Sequence, residues 1–304
     1  MAPMRIAVTG ASGLIGSALT ASLTADGHEV VTLVRRPPRN RGEARWDPRA
    51  GTVDAQALAG CEAVVHLAGA PVAARRWSAR RKKVLLDSRV DGTATIARAM
   101  AALDPKPRVL VAGSAIGYYG DTGDRFVDED SPAGTGFLAD LVQAWEAAAD
   151  PARAAGIRTV HARTGLVVSP QGGAWGALFP FFRAGLGGRL GSGRQYWSFI
   201  SLEDEVAALR FAVDHEELSG PVNLTAPEPR TNSEVTEAMG RVLHRPTALP
   251  VPSFALRAVL GEFAGDVTGS QRVRPQRLLD AGFSFAHPDI DDAIKAALPP
   301  PNRV

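Results

Sequence analysis

The sequence predicts an α/β protein with a doubly wound parallel sheet and a smaller, interleaved α+β lobe toward the C-terminus. Through the first half of the chain, short apolar runs alternate with segments of helical periodicity, which is typical of a parallel sheet covered by helices on both faces. A glycine-rich turn follows the first apolar run, where such folds bind a ligand. The 304 residues are enough for one large α/β unit with an additional lobe.

The composition is that of an ordinary globular protein: 45% of the residues are apolar, 22% are charged, and the formal net charge is +2. A single cysteine, Cys61, excludes an internal disulfide and a cysteine-built zinc site. The six histidines are scattered, so no metal site is expected. Without signal-peptide anatomy or a membrane-length apolar run, we expect a cytoplasmic protein that does not enter the membrane.

Five apolar runs are expected to form the buried parallel strands, and three segments between them have helical spacing. The predicted strands are 5–9 (RIAVT), 29–34 (EVVTLV), 63–68 (AVVHLA), 108–113 (RVLVAG) and 157–163 (IRTVHAR). The predicted helices are 14–27, 88–103 and 137–156. Repeated strand–helix units of this kind have right-handed crossovers, which gives the doubly wound arrangement.

Beyond residue 164 the chain changes in character. Glycines and aromatic residues dominate the segment 167–199, which indicates a loop-rich lobe that faces a ligand. A helix over 202–215 and a strand over 220–226 then return the chain to the sheet before it leaves again near residue 227. We therefore predict a nucleotide-binding domain from residues 1–168 and 199–226, and a substrate lobe from residues 169–198 and 227–304.

The turn VTGASGLIG is the first candidate binding element. Gly10 permits the tight turn, Gly13 lets the backbone approach a pyrophosphate, and Gly16 lets the helix pack closely on the strand. The helix N-terminus adds N–H donors and the positive end of its dipole. The expected cofactor contacts here are Gly10, Ser12, Gly13, Leu14, Ile15 and Gly16. The alternative is a tight turn that binds nothing.

The end of the second strand predicts which dinucleotide binds. An acidic residue at this point is typical of NAD sites, whereas arginine suits the 2′-phosphate of NADP. This strand ends in Arg35 and Arg36 without an acid, so we expect NADP(H). The alternative is a solvated arginine pair on the surface.

The run RRWSARRKK over 75–83 carries six basic residues around one tryptophan. Such a run raises the possibility of nucleic-acid binding. That interpretation is disfavoured, because it requires many phosphate contacts and interleaved stacking residues in a protein that is nearly neutral. We interpret the run as a solvated helix face near the cofactor phosphate, and we expect no nucleic-acid partner.

Three motifs together resemble the extended short-chain dehydrogenase/reductase superfamily, which has the Rossmann fold. They are the glycine spacing of 10–16, HLAG at 66–69 and GSAIGYYG at 113–120. The resemblance implies that Leu67, Ala68 and Gly69 form a turn under the cofactor. It also implies that Ser114 is the active-site serine.

A narrower resemblance extends over essentially the whole chain. The segments DSRVDGT, DEDSP, FLADLVQAWEAAA, RTGLVVS, GLGGRLGSGRQ and SQRVRPQRLLDAGF are similar, in this order, to the atypical, YfcH-like NAD-dependent epimerase/dehydratase family. That family ends in a small C-terminal domain of unknown function. The resemblance implies that Arg89 reaches the cofactor and that Leu166 lines the nicotinamide ring.

The Tyr-x-x-x-Lys pair of the extended enzymes is missing. Counting back from Glu146 places Leu138 at the tyrosine position and Val142 at the lysine position, and a shift by one residue gives Phe137 and Leu141. The pair normally supplies the acid/base, with the lysine lowering the pKa of the tyrosine.

Four residues remain as candidates for the chemistry. Ser114 is expected to hydrogen-bond a substrate oxygen, and Tyr118 or Tyr119 to donate a proton, the alternative for both tyrosines being packing against the cofactor. His66 is either an acid/base or a packed core histidine.

Two classes of function fit the sequence. The first is an NADPH-dependent oxidoreductase that acts on a small molecule, with Ser114 and Tyr118 or Tyr119 polarising a carbonyl. The second is a cofactor-responsive regulator or binding protein without turnover, since some relatives are associated with cell division. Epimerisation and dehydration rank lower, because they depend most on the missing tyrosine. The sequence leaves open a homodimer.

Overall fold

The computed structural model describes residues 3–299. Its strands are β1 (Arg5–Thr9), β2 (Glu29–Val34), β3 (Glu43–Asp47), β4 (Thr52–Val53), β5 (Ala63–His66), β6 (Val109–Ala115), β7 (Arg158–Thr164), β8 (Leu166–Val168), β9 (Tyr196–Trp197), β10 (Phe199–Ser201), β11 (Gly220–Leu224) and β12 (Arg230–Thr231). Its α-helices are α1 (Leu14–Ala25), α2 (Ala55–Leu58), α3 (Ala79–Ala101), α4 (Phe137–Ala147), α5 (Asp150–Ala154), α6 (Gly173–Arg183), α7 (Leu202–Asp214), α8 (Asn232–Leu243), α9 (Ser253–Leu260), α10 (Ala264–Thr268), α11 (Gln276–Asp280) and α12 (Ile290–Ala296).

The central sheet has the order β11-β7-β6-β5-β1-β2-β3-β4, and every pair is parallel except β3 with β4. The strand order reverses between β1 and β5, which is the point where open α/β sheets bind ligands. The predicted doubly wound parallel sheet is confirmed. The return of the chain at β11 is confirmed as well, since β11 runs parallel to β7.

Both faces of the sheet are buried under helices. Alternation along β1 shows this: Ile6 and Val8 face a cluster that includes residues of α1 and α7, and Ala7 faces a second cluster that includes residues of α3 and α5. Because successive side chains of a strand point to opposite faces, a strand buried on both sides is apolar at every position. This is why β1, β5 and β6 are nearly continuous apolar runs in the sequence.

A third cluster forms the core of the smaller lobe. It joins Trp175 and Phe179 of α6 to residues of α8, α9 and α12. Two short pairs of strands lie outside the central sheet, β8 with β10 and β9 with β12. Among residues 3–299, no helix is both long and apolar enough to cross a membrane.

Of the predicted helices, 88–103 and 137–156 differ most from the structure, whereas α1 ends two residues early and α7 one residue early. Helix α3 begins nine residues earlier than predicted, at Ala79, because the side chain of Ser78 caps it by accepting a hydrogen bond from the Arg81 N–H. The predicted helix 137–156 is divided into α4 and α5, with Pro151 at the second position of α5. Strands β3 and β4 were not predicted.

Candidate functional site

The glycine turn lies at the C-terminal end of β1, beside β5. Gly10 has φ +70°, and a Cβ there would lie 2.8 Å from the backbone carbon of Leu67. A Cβ on Gly16 would lie 2.2 Å from the carbonyl oxygen of Gly10. Among residues 3–299, and apart from its chain neighbours, the atom nearest to a Cβ on Gly13 would be that same oxygen, at 3.3 Å. Gly10 and Gly16 are therefore required by packing within the chain, whereas Gly13 is exposed at the start of α1.

The neighbouring residues of this turn lie at the start of α1. Ser12 and Gly13 are exposed, and Leu14 and Ile15 are partly buried in the first turn of α1. Thr9 links the turn to the end of β5, because its hydroxyl accepts hydrogen bonds from the N–H groups of Leu67 (3.1 Å) and Ala68 (3.2 Å). The two loops therefore lie side by side at the topological switch point.

Arg89 lies next to Gly69, where an added Cβ would be 3.4 Å from the Arg89 guanidinium carbon. The guanidinium donates to the carbonyl oxygens of Ala70 (3.0 Å) and Leu85 (3.2 Å), and the residue is 8% exposed. Burial, together with the nearby Arg81, lowers the pKa of Arg89 to about 10. Within residues 3–299 no carboxylate lies within hydrogen-bonding reach of Arg89. A buried cation without a counter-ion is costly, so this position suits an anionic ligand.

The two arginines after β2 differ from the predicted paired site. Arg36 forms a bidentate ion pair with Glu43, with Nη1 at 2.7 Å and Nη2 at 2.5 Å from the carboxylate oxygens. The hydrogen bonds from Arg36 and from the N–H of Arg39 lower the pKa of Glu43 to about 2. Arg35 is exposed and makes no hydrogen bond or ion pair within residues 3–299. Of these two arginines, only Arg35 has a charge that is not paired with a carboxylate among residues 3–299, and it could therefore bind a 2′-phosphate.

Ser114 is 4% exposed at the C-terminal end of β6. Its hydroxyl donates to Oε1 of Glu146 on α4, at 2.6 Å. Glu146 in turn accepts from Nε (2.8 Å) and Nη2 (2.9 Å) of Arg163 on β7. Burial alone would raise the pKa of Glu146, but the Arg163 hydrogen bonds outweigh it and the pKa is lowered. The candidate active-site serine is therefore joined to an ionised carboxylate.

The two candidate tyrosines have different surroundings. Tyr119 is 3% exposed; its hydroxyl accepts from Arg163 Nη1 (2.9 Å) and donates to the side-chain oxygen of Asn223 (2.8 Å). Burial raises the pKa of Tyr119 to about 12. The ring of Tyr118 lies against the guanidinium of Arg163, with Cζ 3.4 Å from the ring centre. Tyr118 is half-buried, and its hydroxyl has no hydrogen-bond partner within residues 3–299.

The positions of the missing Tyr-x-x-x-Lys pair carry aliphatic side chains in α4. The Leu138 Cβ would be 3.3 Å from a Cβ placed on Gly117, so Leu138 packs against the turn that carries the tyrosines. Val142 is buried and belongs to a cluster with Leu85 and Trp145. Neither position offers a proton donor or a cation.

His66 is a packed core residue. It is fully buried, its Nδ1 is 2.8 Å from the Thr9 hydroxyl, and the ring of Trp46 meets it edge-on at 5.7 Å. Burial lowers the pKa of His66 to about 4, which keeps the ring neutral at physiological pH. Of the two interpretations of His66, the structure supports packing.

Sequence reasoning missed Glu205, on the first turn of α7. Its side chain is fully buried, Oε1 accepts from the Thr164 hydroxyl at 2.8 Å, and Oε2 has no partner among residues 3–299. Burial raises the pKa of Glu205 to about 8. The sequence contains no signal for this, because acidic residues are common in the first turn of a helix. Thr164 and Leu166, which starts β8, flank the turn at Gly165.

We predicted that the basic run 75–83 forms a solvated helix face. In the structure, part of this run contacts the smaller lobe. Nη2 of Arg76 donates to the carbonyl oxygen of Ala258 at 2.8 Å, in the last turn of α9. Lys82 forms an ion pair with Glu262. Trp77 lies between Phe137 and Phe263, at 5.0 and 5.1 Å. The run therefore joins the nucleotide-binding part of the chain to the C-terminal segment.

Comparison with known proteins agrees with this architecture. Residues 6–224 match the model of the NAD dependent epimerase/dehydratase family, and residues 251–297 match a domain of unknown function, DUF1731. The chain is 52% identical over 295 residues to epimerase family protein Mb2239 of Mycobacterium bovis, covering 97% of each chain. It is 38% identical over 298 residues to human epimerase family protein SDR39U1, covering 96% of this chain and 99% of that one.

Two solved structures are similar over nearly all of this chain. Human SDR39U1 (isoform2), crystallised with NADPH, superposes with a TM-score of 0.89 at 35% identity, covering 97% of this chain and 99% of that one. A nucleoside-diphosphate sugar epimerase from Corynebacterium glutamicum superposes with a TM-score of 0.80 at 33% identity, covering 96% of this chain and 57% of that one.

Proposed function

Because the chain belongs to the NAD dependent epimerase/dehydratase family, we propose that it is an NADP(H)-dependent oxidoreductase that acts on a small molecule. The observation that carries this proposal is the buried, uncompensated guanidinium of Arg89 beside two adjacent loops that suit a dinucleotide. The similar human protein was crystallised with NADPH, which supports the same cofactor here.

The residues present fit NADPH at each part of the molecule. The N–H groups at the start of α1, near Gly13, would hold the pyrophosphate, and Arg89 would add a positive charge. Arg35 would contact the 2′-phosphate. The turns at 67–69 and at Leu166 would lie against the nicotinamide half. When bound, the cofactor supplies or accepts a hydride.

Tyr118 is the residue that we assign to proton transfer. A phenol hydroxyl has one proton, which it can donate to the oxygen of a carbonyl that is being reduced. The Tyr118 hydroxyl has no competing partner among the described residues, and Arg163 fixes its ring. Tyr119 does not suit this role, because both its donor and its acceptor capacity are used internally.

A second function is favoured by specific observations. Leu138 and Val142 occupy the positions of the usual tyrosine and lysine, so the usual acid/base is missing. The proton of Ser114 is directed at Glu146. These features fit a protein that binds NADPH without turnover and transmits its binding to another molecule. In that case the cofactor site is used and Tyr118 is only a packing residue.

The decisive measurement is turnover by the NADPH-loaded protein with a broad panel of carbonyl compounds, followed by cofactor absorbance. We expect turnover that falls by about 100-fold or more in Tyr118→Phe, with the NADPH dissociation constant unchanged. Tyr119→Phe is the matched control: it removes the same atom and should lower stability by about 1–3 kcal/mol while largely retaining turnover. Absence of turnover throughout the panel, with tight NADPH binding, would favour the regulator.

A further inference from the structure

The hydroxyl of Ser114 has a single proton, and the structure determines where it points. Glu146 accepts at 2.6 Å from Ser114. An ionised carboxylate has no proton to give, so in this contact Ser114 must be the donor. Glu146 is ionised because Arg163 binds both of its oxygens, at 2.8 and 2.9 Å.

Glu146 is not free to turn away from Ser114. The side chains of Arg163 and Glu146 are 3% and 13% exposed, so their ion pair is shielded from water. Separating a buried pair leaves an uncompensated charge, which is strongly unfavourable. Arg163 is itself fixed, because Nη1 donates to Tyr119 and the guanidinium stacks on Tyr118. The proton of Ser114 is therefore committed while this network is intact.

What remains on Ser114 are the lone pairs of its oxygen. We propose that Ser114 acts in this site as a hydrogen-bond acceptor, so that the group it recognises is an O–H or N–H donor and not a bare carbonyl oxygen. The proposal rests on the proposed function in so far as it places a ligand at Ser114. It reverses the expectation that Ser114 polarises a carbonyl, because a carbonyl oxygen also presents only lone pairs.

We assign this contact to one of two donors at the reacting end of the site. One is the carboxamide NH₂ of the nicotinamide, and the other is a hydroxyl group of the substrate. Both would make the same contact with Ser114. They differ in what the protein discriminates: the first selects among cofactor analogues, and the second selects alcohols over the corresponding ketones.

The first arm of the test uses NADP⁺ and its 3-acetylpyridine analogue, in which an acetyl group without an N–H replaces the carboxamide. Dissociation constants are measured by calorimetry for the wild type and for Ser114→Ala. If the carboxamide is the donor, the wild type binds NADP⁺ about 3- to 10-fold more tightly than it binds the analogue. Ser114→Ala should bind the two with nearly equal affinity. Ser22→Ala is the control. The Ser22 hydroxyl is also hydrogen-bonded, since it accepts from Arg210 Nη1, but it lies near the end of α1 and not in the site.

The second arm measures binding of matched secondary alcohols and ketones to the NADP⁺-loaded protein by ligand-observed NMR. If a substrate hydroxyl is the donor, alcohols predominate among the binders, and Ser114→Ala abolishes the preference. A Ser114-dependent preference in either arm supports the proposal and identifies the donor. Absence of one in both arms overturns it. Neither arm requires turnover, so an inactive protein can still support the acceptor role, and an active one can refute it.

Discussion

His66, Glu205 and Arg89 are buried near the ligand edge of the sheet without an ion-pair partner among residues 3–299, and each is accommodated differently. His66 loses its charge, because burial lowers its pKa to about 4. Glu205 keeps its proton near neutrality, because burial raises its pKa to about 8. Arg89 has neither a neutral form near pH 7 nor a carboxylate partner among residues 3–299. Only Arg89 therefore requires a charge from outside the chain, which is why it is the strongest indicator of an anionic cofactor.

Glu205 predicts how stability depends on pH. Its pKa is raised from 4.5 in the unfolded chain to about 8 in the folded one, so the folded state binds the proton more tightly between these values. The free energy of unfolding therefore falls as the pH rises from about 4.5 to about 8. Glu205→Gln removes this titration. Between pH 5 and pH 8 the wild type should lose on the order of 2–4 kcal/mol relative to the variant, as measured by urea unfolding.

Glu203→Gln provides the matched control, since Glu203 is an exposed acid two residues away on the same helix. The free energy of unfolding of Glu203→Gln should depend on pH in the same way as that of the wild type. Parallel profiles for the wild type and Glu205→Gln would mean that Glu205 is ionised in the folded protein, and the assignment of a protonated carboxyl beside Thr164 would be wrong.

The arginines after β2 predict an asymmetry in cofactor preference. Glu43 neutralises Arg36, whereas Arg35 has no partner among the described residues. Arg35→Ser should lower the ratio of NADPH to NADH affinity by about 10-fold or more, because a charged hydrogen bond to phosphate is lost. Arg36→Ser should lower it less. Fluorescence titration with both cofactors gives the two ratios.

Arg41→Ser controls for the general loss of positive charge in this loop, because Arg41 is exposed and its side chain makes no hydrogen bond or ion pair among residues 3–299. It should leave the ratio near the wild-type value. A larger effect from Arg36 than from Arg35 would show that the ion pair with Glu43 opens when the cofactor binds, and the assignment would move to Arg36.

At the scale of the elements, the sequence predicted most accurately the strands whose positions depend on burial of apolar side chains. β1, β5 and β6 are buried on both faces, so their apolar runs stand out, and β2 has one buried and one partly buried face. β3 was missed because it lies near the sheet edge and only Ala44 and Trp46 are buried, which resembles a polar loop in the sequence. The early start of α3 depends on one cap, Ser78, within a run of basic residues that hid the helical pattern.

The glycine turns of the site were predictable, whereas its polar network was not. Gly10 and Gly16 are required by contacts within one strand–turn–helix unit, and such local requirements are visible in the sequence. Ser114, Glu146 and Arg163 come from three separate elements, and only the parallel register of β6 and β7 places Ser114 opposite Arg163. The sequence therefore identified the serine without showing where its proton is directed.

At the scale of the whole molecule, the predicted division into residues 1–168 with 199–226, and 169–198 with 227–304, remains a prediction. Many contacts cross it. Asp204 on α7 accepts hydrogen bonds from the N–H groups of Ala286 and His287. Asn223 on β11 donates to the carbonyl oxygen of Arg274. A chain that passes three times between the two parts, and is hydrogen-bonded across their boundary, should behave as one cooperative unit.

The basic run 75–83 allows the coupling between the two parts to be tested directly. Arg76 binds the C-terminal carbonyls of α9 and Lys82 pairs with Glu262, so both cations hold the C-terminal segment against the first turns of α3. The double variant Arg76→Ala, Lys82→Ala should increase amide hydrogen exchange over 253–263 by about 3- to 10-fold. Exchange in β7, inside the central sheet, should not change.

Arg80→Ala is the control for this variant. Arg80 belongs to the same run, but it is exposed and its side chain makes no hydrogen bond or ion pair among residues 3–299, so exchange over 253–263 should stay at the wild-type rate. Equal exchange in the double variant and the wild type would show that apolar contacts such as Trp77 with Phe263 are sufficient to hold the C-terminal segment. The expected increase would instead give the run a structural role at the junction, which explains six basic residues around one tryptophan without a nucleic-acid partner.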